Sequence, residues 1–150
     1  LYIRRDFQEF INTTEFKVDF EPITYNKTVG ACSRRRPDIF VDCYTFVIIC
    51  EIDENEHRDY NTTCEISRIN ELYTDVNYRP IVFIRFNPDG YIDQSGMKHK
   101  SVFRFSKTGV VSVTKEYELR FQRLKDEFEY RLRMKPSRPI ETIELFFTVS

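Results

Sequence analysis

The sequence predicts a mixed α/β domain in which helices cover both faces of a sheet and a central strand ends in acids. Two apolar runs carry most of that expectation. Phe46 to Cys50 leads straight into Glu51, Ile52 and Asp53, and Pro80 to Phe86 stops at the turn sequence Asn87-Pro88-Asp89-Gly90. Near-continuous apolar strands need cover on both sides, whereas a strand with one wet face alternates. The third observation is a stripe of Tyr117, Phe121, Leu124, Phe128 and Leu132 at the spacing of one helix face. A length of 150 residues suits a single core.

Each element follows from a local pattern. Ile3, Phe7, Phe10 and Ile11 fall at helical spacing, which predicts an amphipathic helix over residues 2–11. Phe16 to Phe20 alternates apolar and charged residues, as a half-buried strand does, and Pro22 and Gly30 bracket a loop. Asp38 to Asp42 reads as a second strand, and its short connection to the Phe46–Asp53 run favours a hairpin. From Tyr60 to Val76 the pattern turns helical, with Tyr60, Cys64, Ile69, Leu72, Tyr73 and Val76 inward and Glu65, Arg68 and Glu71 outward. The strand through Phe86 comes next, then a short strand at Val110–Val113. A long helix runs from Lys115 to Met134, is closed by Pro136 and Pro139, and leads to an edge strand over Ile140–Phe147. The order is helix, three strands, helix, strand, with a core over about residues 1–91 and a C-terminal extension over about 92–150 that holds the long helix. Because the first residue is Leu, the chain reads as a domain excised from a longer protein.

Composition narrows the setting. The longest apolar run, Phe46 to Cys50, falls far short of the ~18 to 20 residues a membrane span requires, so no membrane partner is expected. Cys32, Cys43, Cys50 and Cys64 lack the CxxC spacing of a zinc site, and their apolar settings suit reduced thiols in an intracellular protein of cytoplasm or nucleus. The net charge of −1 is uninformative by itself, but its distribution is not. Basic residues cluster at Arg34, Arg35 and Arg36, at Lys98, Lys100, Arg104 and Lys107, and from Arg131 to Arg138. Acids concentrate between Glu51 and Asp59.

The acids at the end of the central strand carry the chemistry. Strand side chains alternate, so Glu51 and Asp53 share a face while Ile52 points the other way. Asp38 begins the neighbouring hairpin strand and can reach the same end of the sheet. Three converging carboxylates repel one another unless a divalent cation lies among them. Oxygen ligation of this kind suits Mg²⁺ or Mn²⁺ better than zinc. Such an ion polarises a phosphodiester and acidifies a bound water. His57 can move the proton, because its ordinary pKa is near ~6.5. Arg85 interrupts a buried strand and therefore requires an acid or anion partner. Each feature has a plainer reading, as a strand-end acid or a surface salt bridge, and for Arg68 the surface salt bridge is the simpler one.

The pairing of Pro37-Asp38 on one hairpin strand with Glu51-x-Asp53 on the next, within this element order, resembles the PD-(D/E)XK nuclease superfamily. Glu51-x-Asp53 followed by His57 is similar to the branch that includes very-short-patch repair and homing-type endonucleases. The stretches Arg35–Asp38, Glu51–His57 and Ile84–Tyr91 also resemble nuclease-like proteins of large DNA viruses of eukaryotes. The resemblance covers roughly residues 1–91 and implies a restriction-endonuclease-like sheet. It implies Asp38 and Glu51 as metal ligands, with the backbone carbonyl of Ile52 completing the site. Asp53 stands where many members carry lysine, which makes it an additional ligand and leaves proton transfer to His57. A further acid on the first helix is common in such enzymes, and Glu9 is the candidate. Arg34, Arg35, Arg36, Arg68 and Arg85, with Tyr60 and Glu65, line the expected nucleic-acid cleft.

Three readings compete. The first is a metal-dependent endonuclease acting on nucleic acid, DNA in preference to RNA. The second is a catalytically inactive nucleic-acid-binding module on the same fold, with aspartate at the lysine position as its symptom. The third, a glycosylated extracellular domain, rests only on the Asn-x-Thr triplets at Asn12, Asn26 and Asn61. The three acids together with His57 favour the first.

Overall fold

The structure, a computed structural model, describes residues 2–25, 37–54 and 62–148, the side chains of 62–64 excepted. Its helices are α1 (Tyr2–Thr13), α2 (Thr62–Asp75) and α3 (Lys115–Arg133). Its strands are β1 (Thr24–Tyr25), β2 (Ile39–Asp42), β3 (Val47–Ile52), β4 (Ile81–Phe86), β5 (Tyr91–Ile92), β6 (Lys98–His99), β7 (Phe103–Phe105), β8 (Val111–Val113) and β9 (Ile140–Leu145). One sheet runs β1-β2-β3-β4-β9, and β5/β6 and β7/β8 form two small hairpins. In the large sheet β1, β2 and β3 are antiparallel neighbours, while β3, β4 and β9 run parallel. The sheet is mixed, as the sequence predicts, and β3 occupies its centre.

Alternation along β3 and β4 divides the core into two layers. Ile48, Cys50, Val82, Ile84 and Phe86 face Ile3 and Phe7 of α1 and the apolar stripe of α3. Val47, Ile49, Ile81 and Phe83 face Leu72 and Val76 of α2. Helices therefore cover both faces, which is why these strands carry no polar alternation. All five stripe residues of α3 are buried in the first layer, and Leu145 of β9 joins them. The stretch after residue 91 thus supplies part of the central core. The connections β3–α2–β4 and β4–α3–β9 step the same way across the sheet with their helices on opposite faces. They are necessarily of opposite hand, and the second, carrying two hairpins before α3, is no simple βαβ unit.

The predicted strand at Phe16–Phe20 does not form. This segment has no regular structure, and the edge strand is β1, inside the stretch expected to be a loop. Phe16, Val18 and Phe20 nevertheless pack against the α1–α3 layer, with Phe16 and Phe20 each edge-on to Phe128. The alternation reported burial of one side of the segment, which packing satisfies without ladder hydrogen bonds.

Two polar staples hold the layers. The β2–β3 turn places Tyr44 at φ 69°, where Asp42 Oδ1 accepts its amide at 2.8 Å and Arg79 Nη1 donates to the same oxygen at 2.7 Å. On α3, buried Glu127 accepts from Arg123 and from Arg131, each at 2.8 Å, and Arg131 also donates to Glu141 of β9 at 3.0 Å. Burial pushes the Glu127 carboxyl up, but the hydrogen bonds from Arg131 and Arg123 outweigh it and hold the group below its ordinary value. A depressed carboxyl stabilises the fold above the unfolded-state value near ~4.3 and loses that contribution as pH falls through the folded-state value. Urea titrations of wild type and Glu127→Gln should show the variant less stable at neutral pH, with the gap closing below about pH 4. A gap independent of pH would assign the cost to packing alone.

Candidate functional site

The carboxyl ends of β3 and β4 hold a compact group of acids and arginines on the α2 face. Glu51 continues the Val47–Ile49 side of β3, and Arg85 continues the Ile81–Phe83 side of β4, directly beside Glu51 in the parallel register. Asp53 lies one step past β3, where its amide extends the ladder by donating to the Phe86 carbonyl at 2.7 Å. Asp38 precedes the Ile39–Cys50 pair of the β2–β3 register and so stands opposite Glu51. Its Oδ2 accepts the Ile52 amide at 2.7 Å, which fixes the carboxyl against the end of β3.

The acids are matched by cations. Arg68, in the second turn of α2, bonds Glu51 Oε1 through Nη2 and lies 3.8 Å from Glu65. Arg85 Nε donates to Asp53 Oδ2 at 2.5 Å, and its Nη2 lies 3.7 Å from Glu65. Glu65 therefore bridges the two arginines. Arg85 has the acid partner that its place in a buried strand demands. Arg68 is no surface residue, since its side chain is only 15% exposed against a Glu51 side chain at 8%.

Burial dominates the electrostatics. It pushes the Glu51 carboxyl up to about 7, opposed by Arg68 and reinforced by the negative charges of Asp38 and Asp53. Asp53 is likewise pushed by burial to about 7, against the hydrogen-bonded Arg85 and with Glu65 adding to the rise. Two neighbouring carboxyls so far above their usual range mark a place where burial disfavours negative charge despite the paired arginines, a property common at functional sites.

Of the residues the sequence singled out, Asp38, Glu51, Asp53, Glu65, Arg68 and Arg85 come together here. Glu9 does not: it is exposed on α1, which packs on the opposite face of the sheet, and its carbonyl accepts the Thr13 hydroxyl. Its neighbour Asp6 is taken up by the Tyr117 hydroxyl at 2.5 Å. His57, Arg34, Arg35, Arg36 and Tyr60 lie outside the described residues. Sequence reasoning missed the Asp38–Ile52 hydrogen bond, because a strand pattern fixes which side a residue faces but not which backbone group a side chain caps.

The donor chemistry fits a hard divalent cation. Asp38, Glu51 and the Ile52 carbonyl offer oxygen only, as Mg²⁺ and Mn²⁺ prefer. Among the described residues no three His, Cys, Asp or Glu side chains are grouped closely enough to hold an ion by themselves. Mg²⁺ does not require that, since it usually binds through one or two carboxylates and keeps several waters. No protein-family model, curated protein or solved structure matches the chain.

Proposed function

We propose that this chain is a metal-dependent endonuclease that hydrolyses phosphodiester bonds, with DNA favoured over RNA, on a sheet of the restriction-endonuclease kind. The observation that carries the reading is the juxtaposition of Asp38 and Glu51 at the carboxyl end of β3, with the Ile52 peptide tied between them. Asp38, Glu51 and the Ile52 carbonyl hold Mg²⁺ or Mn²⁺. When bound, the ion supplies charge stabilisation at the phosphate and acidity to water. Asp53 is kept by Arg85 at the edge of the site as a further acid, and Arg68 and Arg85 supply positive charge on the side where a phosphate backbone approaches. His57, a few residues beyond, carries the proton. The free thiols of Cys43 and Cys50 agree with an intracellular setting. No described helix is long and apolar enough to cross a membrane.

A second reading has its own support. The bonds of Arg68 to Glu51 and Arg85 to Asp53 already neutralise two of the three acids, which suits a nucleic-acid-binding module that no longer cleaves. Incubation with plasmid DNA and structured RNA, in Mg²⁺, Mn²⁺ and chelator, separates the two. An active enzyme cuts with either ion, is silent in chelator, and loses at least about 10²-fold in rate in Asp38→Ala, because several kcal/mol of charge stabilisation goes with the ligand. Binding without cutting under every condition would leave the second reading standing.

A further inference from the structure

A second charged surface lies at the same end of β4, on the other side of the connection through Asn87 and Gly90. Lys98 of β6, Lys100 just after it, Arg104 of β7 and Lys115 at the start of α3 line one groove of about 600 Å³. All four are exposed, and none forms a salt bridge among the described residues. The acid that lines the groove, Glu116, is already engaged at 3.2 Å by Arg120 Nε and at 3.2 Å by His99 Nδ1. Four uncompensated cations in one concavity repel one another, and a chain whose formal net charge is −1 gains nothing in solubility from gathering them there. A polyanion with regularly spaced charges relieves that repulsion. Val113 is the one apolar residue lining it, so the groove offers a protein partner no cluster of apolar side chains.

We propose that this groove binds the phosphodiester backbone of nucleic acid, with Lys98, Lys100, Arg104 and Lys115 each neutralising a phosphate. The proposal rests on the nucleic-acid reading above for the class of polyanion, and it does not depend on cleavage. The backbone, not the bases, is what four cationic side chains can recognise in a groove lined by no Phe, Tyr or Trp, where the one ring, His99, is already stacked on Tyr91. The groove would then hold substrate at the end of the sheet where the acid cluster lies, from the α3 side.

Binding measured in chelator, where no metal-dependent cutting occurs, tests the groove apart from the activity. Fluorescence anisotropy with a labelled DNA duplex and an RNA strand of equal length, titrated over salt, reads the number of phosphates neutralised. Four contacts contribute a log–log slope of about −3.6 on the duplex, or roughly hundredfold weaker binding between about 50 and 200 mM salt, and about −2.8 on the single strand. The quadruple variant Lys98→Ala/Lys100→Ala/Arg104→Ala/Lys115→Ala should lose about 3 to 4 from the duplex slope, and each single variant about 1. Lys17→Ala, which removes an exposed charge outside the groove, should leave it unchanged. Far-UV circular dichroism checks folding, which truncation of four exposed side chains should not disturb, and Lys100→Glu gives a second reading with a single change. Duplex or strand bound by the quadruple variant with the wild-type slope overturns the proposal, whatever the cleavage assay shows. So does equal affinity of the wild type for polyglutamate, or no binding of either nucleic acid. Groove-dependent binding without cleavage would uphold the proposal while the endonuclease reading fails.

Discussion

Arg120→Ala is expected to destabilise the protein by about 3 to 5 kcal/mol, one of the largest effects of any single side chain here. Arg120 is 1% exposed, a rare state for an arginine. Its Nη1 donates to the carbonyls of Asn87 at 3.0 Å and Asp89 at 2.8 Å, and its Nη2 donates to that of Lys100 at 2.7 Å. The guanidinium also lies against the rings of Tyr91 and Phe146, at 4.8 and 5.2 Å. One side chain of α3 therefore ties down the turn after β4, the end of the β5/β6 hairpin and the segment after β9. Truncation leaves three carbonyls without their donor, each costing roughly 1 to 3 kcal/mol where water cannot replace it. A small domain has only about 5 to 15 kcal/mol in all. Arg120→Lys should recover part of the loss, since an ammonium can serve one or two carbonyls but lacks the planar fork that serves all three. Urea denaturation midpoints for both variants measure this, and a loss under about 1 kcal/mol for Arg120→Ala would show that water substitutes for the guanidinium.

Arg120 also marks where the sequence stops being legible. The stripe Tyr117, Phe121, Leu124, Phe128, Leu132 identifies the buried face of α3, and position 120 lies on that face, three residues after Tyr117. A charged residue there reads as a helix edge unless the backbone carbonyls it serves are known, and those come from Asn87, Asp89 and Lys100, distant in sequence. The short strand expected at Val110–Val113 forms as β8, but its partner β7 and the whole β5/β6 hairpin were illegible for a related reason. The strands of both hairpins are two or three residues long, and their turns depend on Gly96 and Gly109 at positive φ. By contrast β3, β4, α2 and α3 each carry enough apolar residues in one period for burial alone to identify them. The acid cluster was legible as far as facing goes: Glu51, Asp53 and Arg85 follow from strand alternation. That Arg68 turns inward to Glu51 was not, because a helix-surface position next to Glu65 offers an equally plain partner on its own helix.

Arg68→Ala is expected to weaken the cation-free fold and, in the same protein, to tighten its hold on Mn²⁺. Glu51 is 6% exposed, so taking away the guanidinium leaves a buried carboxyl without its bonded cation. The change costs up to about 3 to 5 kcal/mol well above pH 7, where Glu51 stays charged, and less near pH 7, where it takes up a proton. The same change vacates the Glu51 oxygen that a divalent ion must recruit. In the wild type the ion has to displace Arg68 from that oxygen, and a hydrogen bond between charged groups is worth roughly 1.5 to 3 kcal/mol. Relief of that competition amounts to about tenfold or more in affinity. Mn²⁺ at a hundred times its Kd should then return about 2.7 kcal/mol of stability to the variant. The double variant Arg68→Ala/Glu51→Gln should regain none of this, because the ligand is gone, although its neutral amide tolerates burial better and its cation-free stability should exceed that of Arg68→Ala. Calorimetry with Mn²⁺ and thermal melts with and without the ion read both quantities on the same samples. If Arg68→Ala is destabilised as expected but Mn²⁺ neither binds nor protects it, the Arg68–Glu51 pair is a structural bond and the binding-module reading takes the place of the enzyme. If Mn²⁺ protects the variant more than the wild type, then Arg68 fills in the cation-free protein the position that the ion takes on binding.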